Sequence, residues 1–260
     1  MLRSRSTTIL LILLISFWAA GRAQAPQAGT AAAAPVASDP EGKALLAKVF
    51  AAAGGTEKLS TVKSVRVKVN ITLKDQGMSL EAEETDVLPD RVHDRMKTPG
   101  GELVAVVSPQ DSFVSVAGMA VEPMPSSQRE DSLQGMHRAV WYVAQHSRDP
   151  EFVFSFQGKE KIGDVQASIL DVRGDGQQWR WYVDQNGRVL RGQYQRIGET
   201  GPTTRIVDYS EFKPVDGITV PFHEEITVDG KPAATVVVNS YEFNPTVDPK
   251  IFEKPPVAEK

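Results

Sequence analysis

The sequence predicts a mainly β protein with some α: a strongly curved antiparallel sheet, an incomplete β-barrel of about eleven or twelve strands, covered by an N-terminal helix and a mid-chain lid helix. Three observations predict it. Apolar and polar residues alternate along most of the chain, four Asx-Gly pairs punctuate the alternation, and only two long stretches repeat at helical spacing. No linker interrupts residues 40–256, so a single domain is expected there.

The first helix begins at Pro40 behind a capping Ser38 or Asp39, turns Leu45, Leu46, Val49, Phe50 and Ala53 to one face, and ends at Gly54-Gly55. A short turn over Thr56–Leu59 leads into a strand, where Val65, Val67, Val69, Ile71 and Leu73 alternate with polar residues. Gln76-Gly77 reverses the chain, and Met78, Leu80 and Ala82 continue the apolar face. Parity then slips. A bulge near Glu83 is expected to bring Thr85 and Val87 back to the apolar side, and Glu81, Glu83, Glu84 and Asp86 read as a solvated strand edge. Short strands follow near 91–97, 102–108 and 112–117.

Ser127-x-x-Glu130 is a capping box, and one helix runs from it to His146. Its apolar stripe is Leu133, Met136, Val140 and Val143, with Gln134, Arg138 and Gln145 outside; Gly135 weakens it where it must bend or approach the sheet. Asp149-Pro150 closes it. Strands then follow at 151–157, 164–173, 177–184, 188–197, 203–212, 218–228 and 232–243. Asp175-Gly176, Asn186-Gly187, Asp216-Gly217 and Asp229-Gly230 supply turns among them.

Arg3 and Arg5 precede an apolar run from Ile9 to Ala20, with small residues after it, which marks residues 1–23 as a secretory signal peptide. The run is too short to span a bilayer, and no integral membrane segment is expected in the mature chain. Residues 24–39 form an Ala/Pro-rich leader that cannot bury enough surface to offset its ordering entropy. The mature protein is expected to be soluble and exported.

Composition narrows the function. Formal charge is −4, which argues against nucleic acid as a partner. Without cysteine there is no disulfide, thiolate ligand or cysteine nucleophile. His223-Glu224-Glu225 lacks the second histidine and the helix that a zinc protease motif needs, and Gly174-Asp175-Gly176 is a hairpin turn rather than a phosphate loop. His93, His137 and His146 have no metal-ligand spacing, and no Gly-x-Ser-x-Gly elbow occurs. Neither catalysis, a metal nor a cofactor is expected. A curved sheet with one apolar concave face instead offers a ligand site. Val67, Val69, Ile71, Leu80, Phe152, Phe154, Phe156, Trp179, Trp181, Val220 and Phe222 are the expected lining, and Leu133, Met136, Val140 and Val143 the lid.

The order of elements resembles the bacterial outer-membrane lipoprotein-carrier and sorting family (LolA/LolB-like). Four phrases carry the likeness: "DVLPDRV" (Asp86–Val92), "LVAVVSPQDSFVSVAG" (Leu103–Gly118), "YSEFKPVDGITVP" (Tyr209–Pro221) and "PTVDPKIFEKP" (Pro245–Pro255). The resemblance implies an incomplete barrel with a helical lid over a hydrophobic cavity. It further implies a soluble periplasmic carrier that buries the acyl chains of a lipid or lipoprotein for transfer towards the outer membrane, with an envelope protein as donor or acceptor. The family's lipoprotein carriers have a basic residue before the Pro, facing the lid, where this chain has Leu88. Without cysteine, the membrane-anchored receptor form does not apply. The alternative is an envelope sensor or interaction module on the same fold, binding a protein partner.

Overall fold

The computed structural model describes residues 37–116, 121–198 and 201–255. The expected signal peptide and most of the leader lie outside the described residues. Helix α1 (Pro40–Ala53) starts where Asp39 accepts a hydrogen bond from the Gly42 amide, and it ends at Gly54 with φ 121°. Its buried stripe is the expected one. At Gly42 the helix lies directly on the Phe154 carbonyl, and no Cβ fits between them. The Asp39 N–H donates to Phe154 O (3.1 Å), the Phe154 amide donates to Ser38 Oγ (3.0 Å), and the Phe156 amide donates to Asp39 Oδ2 (2.9 Å). The residues ahead of α1 thereby satisfy backbone groups of a strand that has no other partner on that side. Helix α2 (Thr56–Ser60) follows at once.

Strands β1 (Ser64–Leu73), β2 (Met78–Val87), β3 (Arg91–Thr98), β4 (Gly101–Val107), β5 (Ser112–Val116) and β6 (Glu122–Pro123) form one wing of the sheet. After α3 (Ser126–His137) and α4 (Val140–His146), strands β7 (Val153–Ile162), β8 (Val165–Gly174), β9 (Gln177–Val183), β10 (Val189–Gly198) and β11 (Gly201–Ser210) form the other. The hairpin of β12 (Lys213–Val215) and β13 (Ile218–Val220) stands apart, and β14 (His223–Val228) and β15 (Lys231–Phe243) complete the chain of strands. The thirteen-stranded sheet runs β6-β5-β4-β3-β2-β1-β15-β14-β11-β10-β9-β8-β7. Its outer strands, β6 and β7, do not pair with each other. The sheet is an incomplete barrel, and the helices span the gap.

All four Asx-Gly pairs turn hairpins. At Asp175-Gly176, Asp216-Gly217 and Asp229-Gly230 both residues have positive φ, as the primed turn needs. Two expected strands are interrupted. The 218–228 stretch breaks at Pro221-Phe222, and the end of 203–212 leaves the sheet before β12. A C-terminal 3₁₀ turn, Pro249–Phe252, seats Phe252 on the outer face against Val106 and Phe113.

Five expectations need correction. No bulge exists near Glu83: the β1–β2 ladder runs unbroken from Ser64↔Val87 to Leu73↔Met78, and β2–β3 is equally regular. Glu84 and Asp86 therefore stay on the side of Val67 and Val65, facing inward. Nor is β2 an edge, since it lies between β1 and β3; only Glu81 and Glu83 face outward, paired with Lys97 and Lys68. The mid-chain helix is two helices, broken at Arg138-Ala139, and α3 begins at Pro125 without a side-chain cap, so the Ser127 capping box does not form. The break has a packing cause: Met136 packs on β3–β5, whereas Val143 joins α1 and α2 in a different cluster. One straight helix cannot serve both. Gly135 meets only the Arg138 side chain and does not approach the sheet.

Candidate functional site

The registers define the concave face. Val67 pairs with Glu84, Glu84 with Asp94, and Asp94 with Ala105. On the other wing, Glu224 lies beside Tyr209, Arg205 beside Tyr194, and Tyr194 beside Trp179. Residues directly opposite in a ladder share a face, so these rows all point into the same hollow.

Part of the hollow is filled. Phe152, Phe154, Trp179, Trp181 and Val220 pack with α1, α2 and α4 into the largest core, where Phe154 is 1% exposed and Val143 fully buried. Val67, Phe156, Val140 and Phe222 border that core, half-buried. Met136 is buried with Val92, Leu103 and Val107, and Leu133 packs at its margin. Leu80 is buried with Leu73 and Ala234 at the opposite end, with Ile71 beside them.

Between these clusters the face remains accessible. Val69, Ile71, Ala82, Met96 and Ile226 are half-buried, and Glu84 is exposed, although all face inward. Inward residues reached by solvent line a recess that side chains do not plug. One bank of it is acidic. Enclosure in the hollow raises the carboxyls of Glu84, Asp86 and Asp94, the last two strongly; repulsion from Glu84 adds to it at Asp86 and Asp94, whereas a hydrogen bond with Asp86 works against it at Glu84. Glu224 is raised to about 7, by burial first and by Glu84 second. Among the described residues, no Lys or Arg contributes to the shift of any of the four. Asp86, only 5% exposed, and Asp94 each keep one carboxyl oxygen buried without a hydrogen-bond partner.

The other bank is aromatic and basic. Tyr209 lies over Gly192, which has no side chain to obstruct it, and its hydroxyl acidity is depressed by burial and by Glu224. Arg138 sits 3.7 Å above the Tyr194 ring and donates to Gln177 Oε1 at 2.7 Å. It therefore points inward, not outward as the sequence suggests. Arg205 Nε is buried and has no hydrogen-bond partner. Tyr241, Phe222 and Phe243 continue the aromatic lining towards Trp141 of α4.

Helix α3 crosses from one wing to the other with different chemistry at each side. Towards β3–β5 it is held by Leu133 and Met136. Towards β8–β10 it is held by the Asp131–Arg196 ion pair (2.9 Å), by Arg138 over Tyr194, and by Gln177 donating to the Gln134 carbonyl (3.2 Å). Tyr142 of α4 stacks between His137 (4.1 Å) and His146 (4.3 Å), and His137 approaches Asp175 at 3.3 Å. Leu88 packs at the junction of the two large clusters.

Sequence reasoning missed Glu224, Tyr209, Tyr241, Arg138 and Arg205 as lining. A signal existed for Glu224, which shares even parity with Phe222 and Ile226. His223 and Glu225, 3.2 Å apart, lie on the outer face as expected. Among the described residues no three His, Asp or Glu side chains converge closely enough to hold a metal ion, and no helix is long and apolar enough to cross a membrane.

No protein-family model matches the chain, and no curated protein matches it either. Solved structures do. A LolA superfamily protein from Nitrosomonas europaea is 14% identical, with a TM-score of 0.53 over 82% of this chain and 97% of that one. A putative outer membrane lipoprotein-sorting protein domain from Vibrio parahaemolyticus is 11% identical, with a TM-score of 0.52 over 82% and 96%. A DUF1329 family protein from Desulfovibrio piger is 12% identical, with a TM-score of 0.51 over 82% and 97%. An open antiparallel sheet with helices laid across its hollow is thus what this chain shares with them, and its fold is LolA-like.

Proposed function

We propose that this chain is an exported binding protein, not an enzyme, that carries the acyl chains of a lipid or lipoprotein through the periplasm towards the outer membrane. Residues 1–23 are its signal peptide, 24–39 a leader and 40–256 the carrier domain. The observation that carries this reading is the set of inward apolar side chains, Val69, Ile71, Met96 and Ile226, that the helices leave accessible. Burying a methylene contributes about 0.8 kcal/mol, so an acyl chain covering that strip gains several kcal/mol before the cost of immobilising it. Helix α3 acts as the lid, anchored by Met136 and released on its polar side. The lipoprotein-sorting description of one structural neighbour accords with a lipid-modified cargo.

The test is direct. Purified mature protein is extracted and the extract analysed by mass spectrometry, and uptake of a fluorescent fatty acid is measured alongside. Bound lipid or saturable uptake supports the carrier. Protein that emerges empty and takes up no probe refutes it.

A further inference from the structure

Three arginines gather on the basic bank. Arg205 of β11 stands opposite Tyr194 of β10 in the ladder, and Arg196 lies two residues on from Tyr194, diagonal to Arg205. Arg138, just past the end of α3, lies 3.7 Å above the same Tyr194 ring. Burial pushes the Arg196 guanidinium below its ordinary pKa; Asp131 opposes that, and the charges of Arg205 and Arg138 add to it, so both lie close enough to repel Arg196. Asp131 pairs with Arg196 at 2.9 Å. Among the described residues, neither Arg205 nor Arg138 has a carboxylate within ion-pair distance. Arg138 donates to the neutral Gln177, and Arg205 keeps its Nε buried without an acceptor. A buried carboxyl relieves itself by taking a proton, but a guanidinium stays charged at any pH at which a protein works. Like charges crowded in a recess, with a buried donor unused, call for an anion from outside. The planar fork of N–H donors suits the paired oxygens of a carboxylate or a phosphate. The accessible apolar strip begins beside this group. Ile226 of β14 is the diagonal neighbour of Arg205 across the β11–β14 ladder, and it shares a cluster with Ile71 and Met96.

We propose that Arg205 and Arg138 bind the anionic head, a carboxylate or a phosphate, of an amphiphile whose acyl chain lies on the strip from Ile226 to Ile71 and Met96. Arg196 adds its charge to theirs while holding α3 over the site through Asp131. This rests on the carrier reading and names its ligand class.

Laurate, dodecyl phosphate, dodecanol and dodecyltrimethylammonium, which share one chain length, are titrated into the mature protein below micelle-forming concentrations, and binding is followed by tryptophan fluorescence. At least one of the two anions is expected to bind at least about tenfold tighter than dodecanol and the cation, the contribution of charge-assisted hydrogen bonds. Which anion binds tighter tells carboxylate from phosphate, and the advantage is expected to shrink as salt rises. Arg205→Gln is expected to cut the anion preference to within about twofold. Because Arg205 has no ion pair to lose, its melting temperature is expected to hold or rise, whereas loss of a structural arginine would lower it. Circular dichroism checks that the variant is folded, and Arg138→Gln replaces it if it is not. Equal affinity for all the ligands, or tighter binding of the cation, overturns the anion site and leaves the carrier reading standing. So does an anion preference that the variant retains. Failure to bind any of them, dodecanol included, overturns both.

Discussion

Glu224→Gln isolates one energetic consequence of the recess. In the fold the Glu224 carboxyl keeps its proton to about pH 7, because burial and the neighbouring Glu84 disfavour the anion; an unhindered glutamate releases it near 4.5. Between those values the folded chain binds more protons than the unfolded one, so stability falls as pH rises. The stabilising contribution is complete below pH 4.5 and gone above about pH 7. At 1.36 kcal/mol per pH unit the loss is at most about 3 kcal/mol, and about 1–2 kcal/mol is expected because the recess admits water. Urea unfolding at a series of pH values from about 4.5 to 8 measures it. The wild type is expected to lose stability across that interval, and Glu224→Gln to lose about 1–2 kcal/mol less. Asp86 and Asp94 are raised in the same direction, so the variant retains some slope. Identical pH dependence in variant and wild type would mean that Glu224 is hydrated and ionised in the fold, and the enclosed acidic bank would be wrong.

Other substitutions probe the frame. Phe154→Ala removes a ring that is 1% exposed in the largest core and is expected to cost about 3–5 kcal/mol in chemical denaturation. Gly42→Ala sets a methyl against the Phe154 carbonyl and must lift α1 from β7; a loss of about 2 kcal/mol or more, seen as a lowered melting temperature, is the expected result. Asp131→Ala leaves the Arg196 end of α3 without its ion pair. Amide exchange across Ser126–His137 should accelerate well before the global melting temperature changes, and unchanged exchange would argue against a releasable lid.

How far the sequence reveals this protein depends on which forces act locally. Asp39 and Pro40 at the start of α1, the alternation of Val65 to Leu73, and the Asp-Gly turns are set by near neighbours, and they stand where the pattern puts them. Glu84 is the instructive failure. Reading it as solvated required a bulge, since an acid on an apolar face is ordinarily unfavourable; the ladder is regular, and the acid faces inward at a point where its side chain stays exposed and Asp94 lies opposite it. The break at Arg138-Ala139 has no local cause in the sequence either, because α3 and α4 bend to meet cores built by strands far away in the chain. Arg138, placed outside by helical spacing, reaches Tyr194 only because of that break. Parity reveals a face; it does not reveal what fills the space in front of it.

The pairing of β1 with β15 has a consequence for how the chain acquires its shape. The two wings meet in the sheet along this one seam, where Arg66 binds Glu242 across 176 residues of sequence. Loop closure over such a distance is slow and places this among topologies that fold in milliseconds to seconds rather than microseconds. Until β15 emerges, the first wing presents β1 as an open edge with unpaired backbone groups, a template for pairing with other chains. A chain shortened before Lys231 would keep that edge permanently. Among the described residues, the last strand in the sequence is thus also the one that protects the first from aggregation.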